Sequence, residues 1–139
     1  MTPRILTLSL AFVLASLTGC AGTLKYDLRG SELSPGSDAK LEAKVNNSRN
    51  LTQLELKATN LTPPNRVLDA GTTYVVWTRR DHKVPWVRLG ALELTDDGRT
   101  GSASLTVSEV AFDLQVSAEE NAEVASPSGK AVFEQRVQE

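Results

Sequence analysis

The feature that most narrows the fold of this chain is an alternation of apolar and polar residues in short runs separated by turn signals. A period of two puts successive side chains on opposite faces of a sheet, so each such run reads as a strand with one dry face. Leu41, Ala43 and Val45 alternate with Lys40, Glu42 and Lys44, and Leu54, Leu56 and Ala58 alternate with Gln53, Glu55 and Lys57. Ala103, Leu105 and Val107 alternate with Ser102, Ser104 and Thr106; Phe112, Leu114, Val116 and Ala118 alternate with Asp113, Gln115 and Ser117. Tyr74-Val75-Val76-Trp77 is apolar at every position, the pattern of a central strand covered on both faces. Residues 84–94 carry Trp86, Leu89, Leu92 and Leu94, with Gly90 predicting a bulge or kink. Asp96-Asp97-Gly98 predicts a hairpin turn, because Asp-Gly accepts the positive φ such turns require. Residues 131–137 read as the last strand. Helical readings of 39–45 and 107–114 fit the pattern less well than alternation does. The expectation is an all-β, antiparallel β-sandwich of about seven or eight strands.

The first residues carry a different pattern. Arg4 supplies a positive charge, residues 5–17 are mostly apolar, and small residues follow. An apolar run of about 13 residues is shorter than the roughly 20 needed to span a bilayer and suits a cleaved signal peptide. Its end, Leu17-Thr18-Gly19-Cys20, resembles the lipobox of bacterial lipoproteins, in which cleavage precedes the cysteine and the thiol receives a diacylglyceryl group. That resemblance implies a signal peptide at 1–19 and a lipidated Cys20, the only cysteine of the chain. It also implies an outer-membrane destination in a Gram-negative source, because Ala21 is not the aspartate associated with inner-membrane retention. Residues 20–38 read as a tether, broken by Gly30, Ser31, Ser34, Pro35, Gly36 and Ser37. Within it, 23–28 alternate as an edge strand would, and 39–139 form the sandwich domain.

Composition removes several functions. Fifteen Lys and Arg against 17 Asp and Glu, scattered along the chain, provide no concentrated cationic face for nucleic acid. One His and one Cys cannot assemble a zinc site of the usual kind, and one thiol cannot form an intrachain disulfide. No cofactor is expected. Without residues 1–19 the balance is 14 basic against 17 acidic, so membrane affinity would come from the lipid.

Leu68-Asp69-Ala70-Gly71-Thr72-Thr73-Tyr74-Val75-Val76-Trp77 resembles the L-x-x-G-x-x-Y-x-x-W strand entry of the extracytoplasmic domain of anti-sigma-K-type factors. Leu89-Gly90-Ala91-Leu92, the Asp97-Gly98 turn, Phe112, Val116-Ser117-Ala118-Glu119 and Pro127-Ser128-Gly129 follow in the same order. The resemblance spans roughly 45–137 and implies an immunoglobulin-like sandwich with Tyr74, Trp77 and Phe112 as core residues. The sigma-binding activity of those regulators belongs to a separate zinc-binding helical domain and is not implied.

Candidate sites follow from charge and aromatic content. Arg79-Arg80-Asp81-His82-Lys83 is expected at a hairpin tip, with Arg88 on the return strand. Its cations could attract an acidic polymer or a lipid headgroup; the plainer account is a solvated connection whose charges protect the flanking strands. Trp86, beside Pro85, is the better candidate of the two tryptophans for an exposed contact, so Arg79, Arg80, His82, Lys83 and Trp86 form the possible partner-binding set. His82 is the only imidazole base, and no Ser or Thr lies in a recognisable nucleophile motif beside it. Glu119, Glu120 and Glu123, or Asp96 and Asp97, lack the regular oxygen spacing of a calcium loop and read as solvated turns. The expected function is a lipid-anchored envelope protein with a non-catalytic binding or structural domain and an envelope protein as partner. The alternatives are a sensory extracytoplasmic module and, further off, a hydrolase with an unrecognised site.

Overall fold

The computed structural model describes residues 22–139; Cys20 and the segment read as a signal peptide lie outside them. Among the described residues there are nine strands: β1 (Thr23–Arg29), β2 (Asp38–Asn46), β3 (Leu51–Thr59), β4 (Thr73–Arg79), β5 (Val87–Ala91), β6 (Glu93–Leu94), β7 (Gly101–Val107), β8 (Phe112–Glu119) and β9 (Ala131–Val137). One helical turn, α1 (Pro64–Val67), joins β3 to β4. The strands form two antiparallel sheets, ordered β1-β2-β3-β7-β6 and β5-β4-β8-β9.

Alternation produces the sandwich directly. On β2 the buried residues are Ala39, Leu41, Ala43 and Val45, and on β3 they are Thr52, Leu54, Leu56 and Ala58. Their register sets Leu41 beside Leu56 and Ala43 beside Leu54, so the inner face of β2 and β3 is apolar except at Thr52, whose hydroxyl donates to the Glu109 carbonyl. It packs on Tyr74, Val76, Phe112, Leu114, Val116, Ala118 and Phe133 of the second sheet. The opposite face of the first sheet is wet and carries charge pairs, Lys25 with Glu42 and Lys40 with Asp27.

β1 pairs with β2 from Thr23 to Arg29, so the sheet begins within the segment that reads as a tether. The chain between 84 and 94 does not form one kinked strand. Leu89 is the bulge residue, because Val76 pairs with Gly90 and Trp77 with Arg88. Leu92 then donates its N–H to the Tyr74 carbonyl, and the next two residues, β6, pair with β7 in the other sheet. Gly90 permits this crossing, since a Cβ there would stand 2.7 Å from Leu105 Cδ2. This sheet change, together with β1, gives nine strands. The β6–β7 turn forms at Asp96-Asp97-Gly98 with Gly98 at φ 69°. There the Thr95 hydroxyl donates to Asp97, the main reason that carboxyl lies below its ordinary pKa.

β4 and β8 are covered on both faces. For β8 this departs from the alternation of its sequence: Gln115, Ser117 and Glu119 are buried as well as Leu114, Val116 and Ala118. The cover is the β8–β9 connection, residues 120–130, which folds back over the outer face of the four-stranded sheet.

Strand direction sorts the loops into two groups. The start of β1, the β2–β3 loop (47–50), the β4–β5 loop (80–86), the β7–β8 loop (108–111) and the end of β9 share one end of the sandwich. Cross-links agree with the grouping: Val45 N–H to Gly22 carbonyl, Asn50 Nδ2 to Ser108 carbonyl, and Asn47 Nδ2 to Glu139. The β1–β2, β3–β4, β6–β7 and β8–β9 connections occupy the other end.

Candidate functional site

Tyr74, Trp77 and Phe112 are all fully buried, but in two different places. Tyr74 and Phe112 lie between the sheets. The Tyr74 hydroxyl donates to the Thr62 carbonyl, and burial pushes its pKa from 10.0 up to about 12. Trp77, three residues further along β4, points to the other side of the same sheet. Its indole N–H donates to Ser117 Oγ at 2.9 Å, and the Ser117 hydroxyl donates to Glu119 Oε1 at 2.6 Å. The same carboxylate oxygen accepts the Ser128 N–H at 2.8 Å, and the Ser128 hydroxyl closes on the Ala118 carbonyl at 2.7 Å. Arg88 holds the covering loop from outside through Glu123 at 2.7 Å and the Ala122 carbonyl at 2.6 Å.

This network fastens the β8–β9 loop to the sheet. Among the described residues no buried side-chain polar atom is left without a partner. The three glutamates near it do not converge: Glu119 is buried in the network, while Glu123 is exposed and paired with Arg88. No three His, Cys, Asp or Glu side chains among the described residues are arranged to hold a metal ion.

The hairpin residues come together at the opposite end of the same outer face. The register aligns Arg79 of β4, Asp113 of β8 and Arg136 of β9 in one row across three strands. Asp113 receives Arg79 Nε at 3.1 Å on one oxygen and Arg136 Nη1 at 3.2 Å on the other. Arg136 Nη1 also donates to the Arg80 carbonyl at 2.7 Å, tying the loop to β9. The Arg79 guanidinium lies 4.2 Å from the centroid of the Trp86 ring, a cation–π stack that leaves Trp86 half-buried. Arg80 pairs with Glu109 at 3.1 Å. An open groove of about 310 Å³ runs beside this row, lined by Arg79, Trp86, Asp113, Glu134 and Arg136.

The five hairpin residues therefore separate into two sets. Arg79, Arg80 and Trp86 are engaged within the protein, each cation facing a carboxylate. His82 and Lys83 stand exposed at the tip, which Asp81 shapes by accepting the Lys83 N–H at 2.8 Å. The partners missed by sequence reasoning are Glu109, Asp113 and Arg136. They lie 23 to 56 residues from the groups they meet, so only the strand register reveals them. A larger concavity of about 510 Å³ on the five-stranded sheet is lined by Glu42, Lys44, Gln53, Glu55, Ser104 and neighbours. It is the solvated outer face of that sheet, and Glu55 there already accepts the Ser104 hydroxyl.

The arrangement sets an exposed imidazole and ammonium at the tip beside a row of paired guanidinium and carboxylate groups. Comparison of the chain with protein-family models, curated proteins and solved structures gives no match.

Proposed function

We propose that the chain is a lipid-anchored envelope protein whose sandwich serves as a non-catalytic binding or structural module, with another envelope protein as its partner. The observation that carries this reading is Leu17-Thr18-Gly19-Cys20 at the end of a charged and then apolar leader. Pairing in the sheet begins at Thr23, three residues after that cysteine, so cleavage before Cys20 would leave every strand intact. We further read the sandwich as immunoglobulin-like. After β1, the orders β2-β3-β7-β6 and β5-β4-β8-β9 correspond to strands A-B-E-D facing C′-C-F-G. A sensory extracytoplasmic module is the second reading, favoured by the spacing of Gly71, Tyr74 and Trp77 in the resemblance to anti-sigma-K-type factors.

The test is fractionation of cells expressing the full chain. Cys20→Ser is expected to move the protein from the membrane fraction to the soluble envelope fraction, and retention in the membrane overturns the anchor. Cross-linking in intact cells then identifies the partner, and a membrane-spanning regulator among the products would favour the sensory reading.

A further inference from the structure

The end of the sandwich that carries the β4–β5 loop is also the end at which the chain enters the domain. Gly22 is fixed there by the hydrogen bond from Val45, and Cys20 is two residues earlier. Two residues reach at most about 7 Å, so a lipid on Cys20 holds this end against the bilayer surface. We infer that the β4–β5 loop, with the β2–β3 loop beside it, is a second membrane contact that docks on the headgroup layer of the bilayer. The inference rests on the lipid anchor of the proposed function and adds which face of the domain touches the membrane.

Three observations agree with that occupant. The first is charge. The loops and the tail after β9 at this end carry Arg49, Arg80 and Lys83 against Asp81, Glu109 and Glu139, an even balance, with His82 in addition. Glu139, beyond β9 at the same end, accepts from Asn47. At the other end, Glu32, Asp69, Asp96, Asp97, Glu120 and Glu123 stand against Arg66, Arg99 and Lys130. The domain is thus polarised along its strands, with its acidic loops turned away from the proposed bilayer. Near an anionic leaflet a charged side chain gains or loses on the order of 1 kcal/mol, an effect that fades within a Debye length of about 8 Å, so the surface repels the acidic end and not the balanced one. The nine residues of β2 rise about 30 Å, which takes the acidic loops out of that range.

The second observation is apolar exposure. Val84 is 38% and Val87 62% exposed, two of the three large hydrophobic residues exposed among the described residues, and both belong to this hairpin. They flank Trp86, whose half-buried ring adds an amphipathic group of the kind that settles at headgroup depth. The third is rigidity. Arg79 stacked on Trp86, Arg80 on Glu109 and Arg136 on the Arg80 carbonyl hold the loop in place, so docking need not order it.

The experiment uses the full-length protein, purified with its lipid and reconstituted in phosphatidylglycerol–phosphatidylcholine vesicles. Val84→Cys and Asp97→Cys, one at each end, are labelled with a thiol-reactive fluorophore and exposed to nitroxide-bearing lipids. Mass spectrometry of the same samples reads the acylation of Cys20. The expected result is an acylated Cys20, quenching of the label at 84 and none at 97. Equal quenching at both positions, or stronger quenching at 97, with Cys20 acylated overturns the orientation alone. An unacylated Cys20 overturns the anchor and the orientation with it.

Discussion

Tyr74→Phe separates two contributions that the buried phenol makes to stability. At neutral pH the substitution removes one hydrogen bond and leaves the Thr62 carbonyl without that donor, while the ring continues to fill its place between the sheets. The expected loss is about 1–2 kcal/mol. The second contribution depends on pH. Burial raises the phenol from 10.0 to about 12, so the folded state holds its proton more tightly than the unfolded chain does. That preference is fully present below about pH 10 and is lost as pH rises through 10 towards 12, because the unfolded chain ionises first. At 1.36 kcal/mol for each pKa unit, the parent loses about 1.4 kcal/mol from this source by about pH 11 and approaches a limit of about 2.7 kcal/mol. The phenylalanine variant has nothing to ionise at this position. The stability gap between the two proteins should therefore shrink with rising pH, then close and reverse near pH 11 to 12. Urea unfolding followed by tryptophan fluorescence at successive pH values measures it, since lysine titration in this range is common to both proteins and cancels in the difference. Parallel stability–pH curves would refute the reasoning, because they would mean that the phenol titrates alike in folded and unfolded chains.

Two further substitutions probe the outer face of the four-stranded sheet. Glu119→Ala strands the Ser117 hydroxyl and the Ser128 N–H and should cost about 2–3 kcal/mol, with faster amide exchange across 120–130; protection equal to the parent's would show that this loop is held by something else. Asp113→Asn leaves Arg79 and Arg136 facing each other without their shared counter-charge, so the protein should lose about 1 kcal/mol, a deficit that added salt reduces by screening the repulsion. A deficit in denaturant midpoint that ignores salt would show that charge is not its source.

How much of the architecture was legible depends on what covers each face. β2 and β3 were readable residue by residue because one face of their sheet meets water and the other meets the second sheet, so chemistry alternates with geometry. β4 was readable as doubly covered because Tyr74 to Trp77 is apolar at every position, with no side chain that demands water. β8 was not, since Gln115, Ser117 and Glu119 look like a solvated face and are buried by a loop that follows the strand and folds back on it. Buried serine and glutamate satisfied by one another leave no periodic signal. The bulge near Gly90 was visible in the sequence, but the change of sheet at Leu92 was not. It depends on the Tyr74 carbonyl, 18 residues earlier, accepting from Leu92. The hairpin cations could be found by composition, whereas their neutralisation by Asp113 and Glu109 is set by a register that no local pattern encodes.

The margins of the two sheets bear on how copies of this protein could meet. β6 is only two residues long, and β5, at five, is interrupted by its bulge. The free side of β9 is partly occupied, because Ser31 donates its N–H to the Val132 carbonyl and its hydroxyl to the Ala131 carbonyl. β1 is the long open margin, and its outward side chains Lys25, Asp27 and Arg29 put charge along it. Crowding on a surface would concentrate such domains, yet none of these margins is a long, flat, apolar template for extending a sheet into a neighbour. Lateral assembly through side-chain faces and loops would stay reversible and tunable by single charges, while the charge, shortness and partial cover of these margins disfavour strand-by-strand polymerisation.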